Sequence, residues 1–86
     1  SAVESLGNAL RTGGPIGEKE ALLIQSAAAA AAQSEGSVHS HTRRALAAGA
    51  SAEEIEHAIL LLLSVIGFPK VAAAITWCND VLEAGG

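Results

Sequence analysis

At 86 residues the chain has room for one domain, residues 1–86, and a monomer of that size buries only about 60% of the surface its unfolded chain exposes. Nine acidic against five basic side chains give a net charge of −4 and a pI near 5.2. Arg43-Arg44 is the one basic cluster, which excludes a phosphate-tracking surface and with it nucleic acid as a partner.

A single cysteine, Cys78, cannot close an intrachain disulfide and offers no secreted framework. No stretch reads as a signal peptide, so a cytoplasmic site is expected. Half the residues are hydrophobic, but alanine supplies much of that half and the aromatics are only Phe68 and Trp77. Burial is worth roughly 25 cal/mol per Å² of apolar area, so a core of small side chains gains little per residue and needs close helix contacts.

In chain order, Val3, Leu6 and Leu10 predict a short helix over residues 2–11, ended by Thr12-Gly13-Gly14-Pro15-Ile16-Gly17. Glu18 and Glu20 then open a second helix, where carboxylates suit the positive end of the dipole. Its alanine run, 27–32, has high helix propensity and lets backbones approach. A third helix opens near Ser34 to Ser37 and stops at Gly49, which suits the left-handed residue after a helix. Ser51 and Glu54 form a capping box for a fourth.

That fourth helix is predicted to run through Ala58-Ile59-Leu60-Leu61-Leu62-Leu63-Ser64-Val65-Ile66 to Gly67-Phe68-Pro69. Its apolar run is about half the ~20 residues of a membrane span, which predicts a helix buried all round and no membrane partner. Helix two is apolar nearly all round as well. One small bundle cannot centre both, so other copies of the chain are expected to cover them, in a homo-oligomer. A fifth helix, about 70–83, is expected to pack Val71, Ile75, Cys78 and Leu82.

The stretch Ser34-Glu35-Gly36-Ser37-Val38-His39-Ser40-His41, with the Gly49 stop, the Ser51 restart and Gly67-Phe68-Pro69, resembles the carboxymuconolactone decarboxylase-like family, which includes alkylhydroperoxidase D-type proteins. The resemblance covers roughly residues 15–84. It implies an all-α bundle of about five helices of the alkylhydroperoxidase D-like type, assembled as a trimer or hexamer. The helix-opening motif of thiol members, Cys-x-x-Cys-x-x-x-His, places its histidine on His41 and its cysteines on Ser34 and Ser37. Serine neither forms a stable thiolate-like anion nor a disulfide, so the family's peroxide-reducing antioxidant chemistry is disfavoured. The thiol members' carboxylate, nineteen residues before the histidine, corresponds to Leu22; Glu18 is one turn earlier and Gln25 about one turn later.

On a regular helix Val38, Thr42, Ala45 and Gly49 make the apolar centre, with His41 about 60° to one side and Ser37 on the same flank. Taken alone His41 reads as a packing residue; the resemblance makes it the working histidine. The reading that follows is a lyase-type acid/base enzyme acting on a small organic acid or lactone. His41 would carry the proton, with Ser37 and Glu35 orienting. Ser34 and Arg44 would bind substrate, with His57 or Trp77 from a neighbouring copy completing the pocket. Glu35 corresponds to a glutamate often found between the family's cysteines, and as a bare sequence feature is a first-turn helix acid.

Arg44 lies about 60° from His41, and Arg43 and His39 about 160°. His39 is expected to be exposed near Arg43. The His39-x-His41 pair cannot share a metal on a regular helix, and further zinc ligands are not evident, so neither metal nor cofactor is expected. The alternative is a non-catalytic module that binds a small ligand or assembles, with His41 structural.

Overall fold

The computed structural model describes residues 1–84. Among the described residues the chain forms six helices and no strand: α1 (Ala2–Thr12), α2 (Glu18–Ala31), α3 (Glu35–Ala47), α4 (Ala52–Leu60), α5 (Leu63–Ile66) and α6 (Phe68–Leu82). The all-α expectation holds. No helix is long and apolar enough to cross a membrane.

Local chemistry sets the boundaries. Ser1 with Glu4, and Ser51 with Glu54, close reciprocal capping boxes at α1 and α4. Gly49 adopts φ 97°, and the amides of Gly49 and Ala50 bond back to Leu46 and Ala45 at 3.1 and 2.9 Å. Those two bonds complete a Schellman stop for α3. The same pair of bonds ends α2, with the amides of Gln33 and Ser34 returning to Ala30 and Ala29. There the left-handed residue is Gln33 at φ 54°. Its side-chain amide offsets the cost by donating to the carbonyls of Ala30 and Lys70.

The core is built of Leu22, Ala29 and Ala30 of α2, Val38 and Ala45 of α3, Ile55 and Ile59 of α4, and Val71, Ala74 and Cys78 of α6. Helix α3 packs against α2 on one side and α6 on the other. In α6 the fully buried stripe is Val71, Ala74, Cys78 and Val81. The expected Ile75 and Leu82 lie one position over and are half-buried. The smaller Ala74 takes the buried position, where a short side chain lets helices approach closely.

One expectation needs correction. The fourth predicted helix is two helices: a tight turn at Leu61 and Leu62 ends α4, and the one-turn α5 follows. Within one chain its apolar run is only partly covered. Leu60, Leu61, Leu63 and Val65 are 51, 62, 46 and 72% exposed, while Ile59 is fully buried and Leu62 and Ile66 pack on the core. The turn directs Leu62 and Ile66 inward at the expense of their neighbours. Ile24 of α2 and Phe68 of α6 also face outward. The chain therefore exposes a set of large apolar side chains well beyond the isolated ones that a monomer normally carries.

Candidate functional site

Helix α3 carries the candidate residues, and its buried stripe of Val38, Thr42 and Ala45 fixes where the rest point. At 100° per residue, Ser37, His41, Arg44 and Ala48 fall on one flank, and Glu35, His39 and Leu46 on the other. The surroundings agree. Arg44, Ala47 and Ala48 border a cleft with Glu18 and Leu22 of α2 and Arg11 of α1. His39 on the opposite flank meets Asp80 of α6 at 3.0 Å.

On the α2 flank, His41 is half-buried and its Nδ1 sits 2.8 Å from the Ser37 carbonyl oxygen. A carbonyl only accepts, so Nδ1 carries the hydrogen and Nε2 holds the lone pair. The ring is thus oriented by its own helix one turn back. Ser37 contributes through its backbone here, not through the expected hydroxyl. Ser34 occupies the N-cap position of α3 without a side-chain capping bond and is half-buried.

Arg44 is half-buried and, among the described residues, has neither an ion-pair nor a hydrogen-bond partner. The cleft it borders measures about 220 Å³. Arg11, across that cleft, donates to Gln25 at 3.3 Å. Two guanidinium groups and one carboxylate, Glu18, give the opening a net positive character suited to a small anion. Leu22, at the family's proton-relay position, is buried, and Glu18 one turn earlier borders the same cleft.

The remaining candidates do not converge there within one chain. His57 is exposed on α4 and lines a separate apolar groove of about 550 Å³ between α2 and α4, with Glu20, Leu23, Ile24, Leu61 and Leu62. Lys19 and Glu54 tie the same two helices together at 3.0 Å. Trp77 is half-buried against the core and borders neither of the two clefts described. Neither of them is lined by His41.

Glu35 belongs with His39, not with His41: Glu35, His39 and Asp80 present ligand atoms all within 4.8 Å of one another. His39 is 23% exposed, correcting the expectation of a solvent-facing histidine near Arg43. Asp80 is 41 residues away in sequence, and no local pattern marks it. The spacing Glu35-x-x-x-His39 is the available signal.

Cys78 is fully buried, and burial pushes its thiol pKa up, with the neighbouring Thr42 hydroxyl acting in the opposite direction. A thiol so placed is inert as a nucleophile. Thr42 Oγ1 and Ser26 Oγ are themselves buried without a well-formed hydrogen bond.

The central helix α3 thus carries at its middle a histidine held by its own backbone, on the same flank as an arginine that borders a cationic cleft. The model of the carboxymuconolactone decarboxylase family matches residues 1–80, and the chain belongs to that family. The match takes in α1, which the motif resemblance left out. No curated protein and no solved structure matches the chain.

Proposed function

We propose that the chain is an acid/base enzyme of the decarboxylase-like branch, acting on a small organic acid or lactone. The observation that carries this reading is Arg44, an unpartnered guanidinium at the mouth of a small cleft, one turn along the same flank from an imidazole whose Nε2 is left free. Loss of CO₂ from an acid leaves electron density on carbon, and that carbon needs a proton. Arg44 would hold a substrate carboxylate by a bidentate contact. His41, protonated at Nε2, would deliver the proton and return to the neutral tautomer that the Ser37 carbonyl favours. Solvent water would return the proton to His41.

The same reading makes the active form a homo-oligomer, a trimer or hexamer, in the cytoplasm. Support comes from the outward Ile24, Leu60, Leu61, Val65 and Phe68 and from the apolar groove beside His57. A second copy seated there would bring its own side chains to an opening that one chain leaves incomplete. Peroxide reduction by a dithiol route is disfavoured by Ser34 and Ser37 and by the sealed Cys78.

CO₂ release from a panel of small carboxylic acids and lactones tests the proposal, with size measured in parallel by light scattering. His41→Gln should lower turnover by about 10²-fold or more with assembly unchanged, and Arg44→Ala should act chiefly on KM. Loss of assembly in His41→Gln, with no turnover in the parent protein, supports the non-catalytic assembly module instead.

A further inference from the structure

The flank of α3 that faces α6 carries a second constellation, independent of His41. Glu35 and His39 are four residues apart on α3, so their side chains stack on one face, and Asp80 reaches them from α6. The three ligand atoms lie within 4.8 Å of one another, and His39 Nε2 to Asp80 Oδ2 is already 3.0 Å. We propose that Glu35, His39 and Asp80 form an intrachain binding site for a divalent transition-metal ion, Zn²⁺ being the representative case.

Geometry supports it first. Zinc bonds its nitrogen and oxygen ligands at about 2.0–2.2 Å, which sets tetrahedral ligand atoms about 3.3 Å apart. The His39–Asp80 separation is near that value already. Glu35 is exposed and lies at the first position of α3, so a rotamer change can draw its carboxylate in without moving backbone. The two helices that supply the ligands are packed together, which holds the set in place before the ion arrives.

Charge supports it independently. Two carboxylates converge with one imidazole, which supplies at most a single positive charge. Arg43, one turn beyond His39 on the same helix face, pairs with neither acid. The described residues give Glu35 no salt-bridge partner at all. A divalent ion balances both carboxylates and leaves the histidine neutral. The nitrogen ligand selects zinc, cobalt or nickel over magnesium and calcium, which prefer all-oxygen sets. Three protein ligands leave a fourth position for water. Bound there, the ion links the opening turn of α3 to the closing turns of α6.

Isothermal titration of the untagged chain with ZnCl₂, with Co²⁺ absorption as a second readout, decides the matter. The expected result is one ion per chain, a rise in melting temperature on loading, and Co²⁺ d–d bands. His39→Ala should abolish saturable uptake. Asp80→Asn and Glu35→Gln should each weaken it by more than the roughly tenfold loss that an outer-shell change costs, while His57→Ala leaves it in place. Circular dichroism confirms that each variant folds. The proposal is overturned by absence of saturable zinc uptake, by uptake that survives both His39→Ala and Asp80→Asn, by Mg²⁺ binding as tightly as Zn²⁺, or by a stoichiometry of one ion per two or three chains.

Discussion

Thr42→Val puts the packing of α3 to a quantitative test. Thr42 has no exposed surface, and its hydroxyl lacks a well-formed hydrogen bond. An unsatisfied buried polar group costs about 1–3 kcal/mol, and a buried methyl in its place contributes up to about 0.8 kcal/mol. Valine and threonine have similar shape and similar helix propensity, so neither strain nor backbone entropy opposes the change. The substitution removes only the hydroxyl's interaction with the Cys78 thiol, a weak partner whose raised pKa that hydroxyl offsets in part.

The variant should therefore be more stable by about 1–3 kcal/mol, seen in urea unfolding as a higher midpoint with unchanged slope. For a domain of this size each kcal/mol moves the melting temperature by roughly 4–8 °C. Protein concentration must be held fixed, because self-association raises apparent stability by mass action. A double-mutant cycle with Cys78→Ala should show little coupling. Destabilisation by about 1 kcal/mol or more would refute the reasoning and mean that the hydroxyl is satisfied, by a buried water or by a stronger bond to the thiol.

Three further predictions rest on the same structure. Ser26→Ala removes the other buried, unpartnered hydroxyl and restores the best helix former within α2, so thermal unfolding should show a gain of about 1 kcal/mol or more. Gly49→Ala places a side chain at φ 97° and should lower stability by about 1–2 kcal/mol, read by the same urea titration. The Ser51 backbone amide and then Lys19 hold the Glu54 carboxyl below its ordinary 4.5, while Glu54 holds Lys19 above 10.5. Stability from the Glu54 shift is present above the unfolded carboxyl value and falls away as pH drops through the folded one. Stability from the Lys19 shift is present below the unfolded amine value and is lost as pH climbs through the folded one. In a pH series of unfolding midpoints, Lys19→Met should remove the alkaline decline and keep part of the acid decline, because the Ser51 bond survives.

Much of the architecture is legible in the sequence because local chemistry sets it. The Ser51–Glu54 box, the glycine at the end of α3 and Pro69 at the start of α6 each act within a few residues, and each does what its sequence context implies. The break between α4 and α5 has no such marker: neither glycine nor proline interrupts Leu60 to Val65, and the turn arises from which leucines the core can accept. Periodicity places Val71 and Cys78 of α6 inside but favours Ile75 and Leu82 over Ala74 and Val81. Hydrophobicity alone does not tell that the smaller residue takes the buried position. The surroundings of His39 escape the sequence for a different reason, since its partner Asp80 comes from a helix packed alongside and no local rule couples them.

Glu35 shows how a motif and a helix can disagree. Alignment to the family's helix opening sets it among the working residues, because in sequence it lies between the two serines. On the helix it is about 120° from His41, toward α6, where it faces His39 and Asp80. The two flanks of α3 are thus separated by the fully buried Val38, Thr42 and Ala45, and chemistry on one does not share side chains with the other. A change at Glu35 can act on His41 only by shifting α3 as a body between α2 and α6.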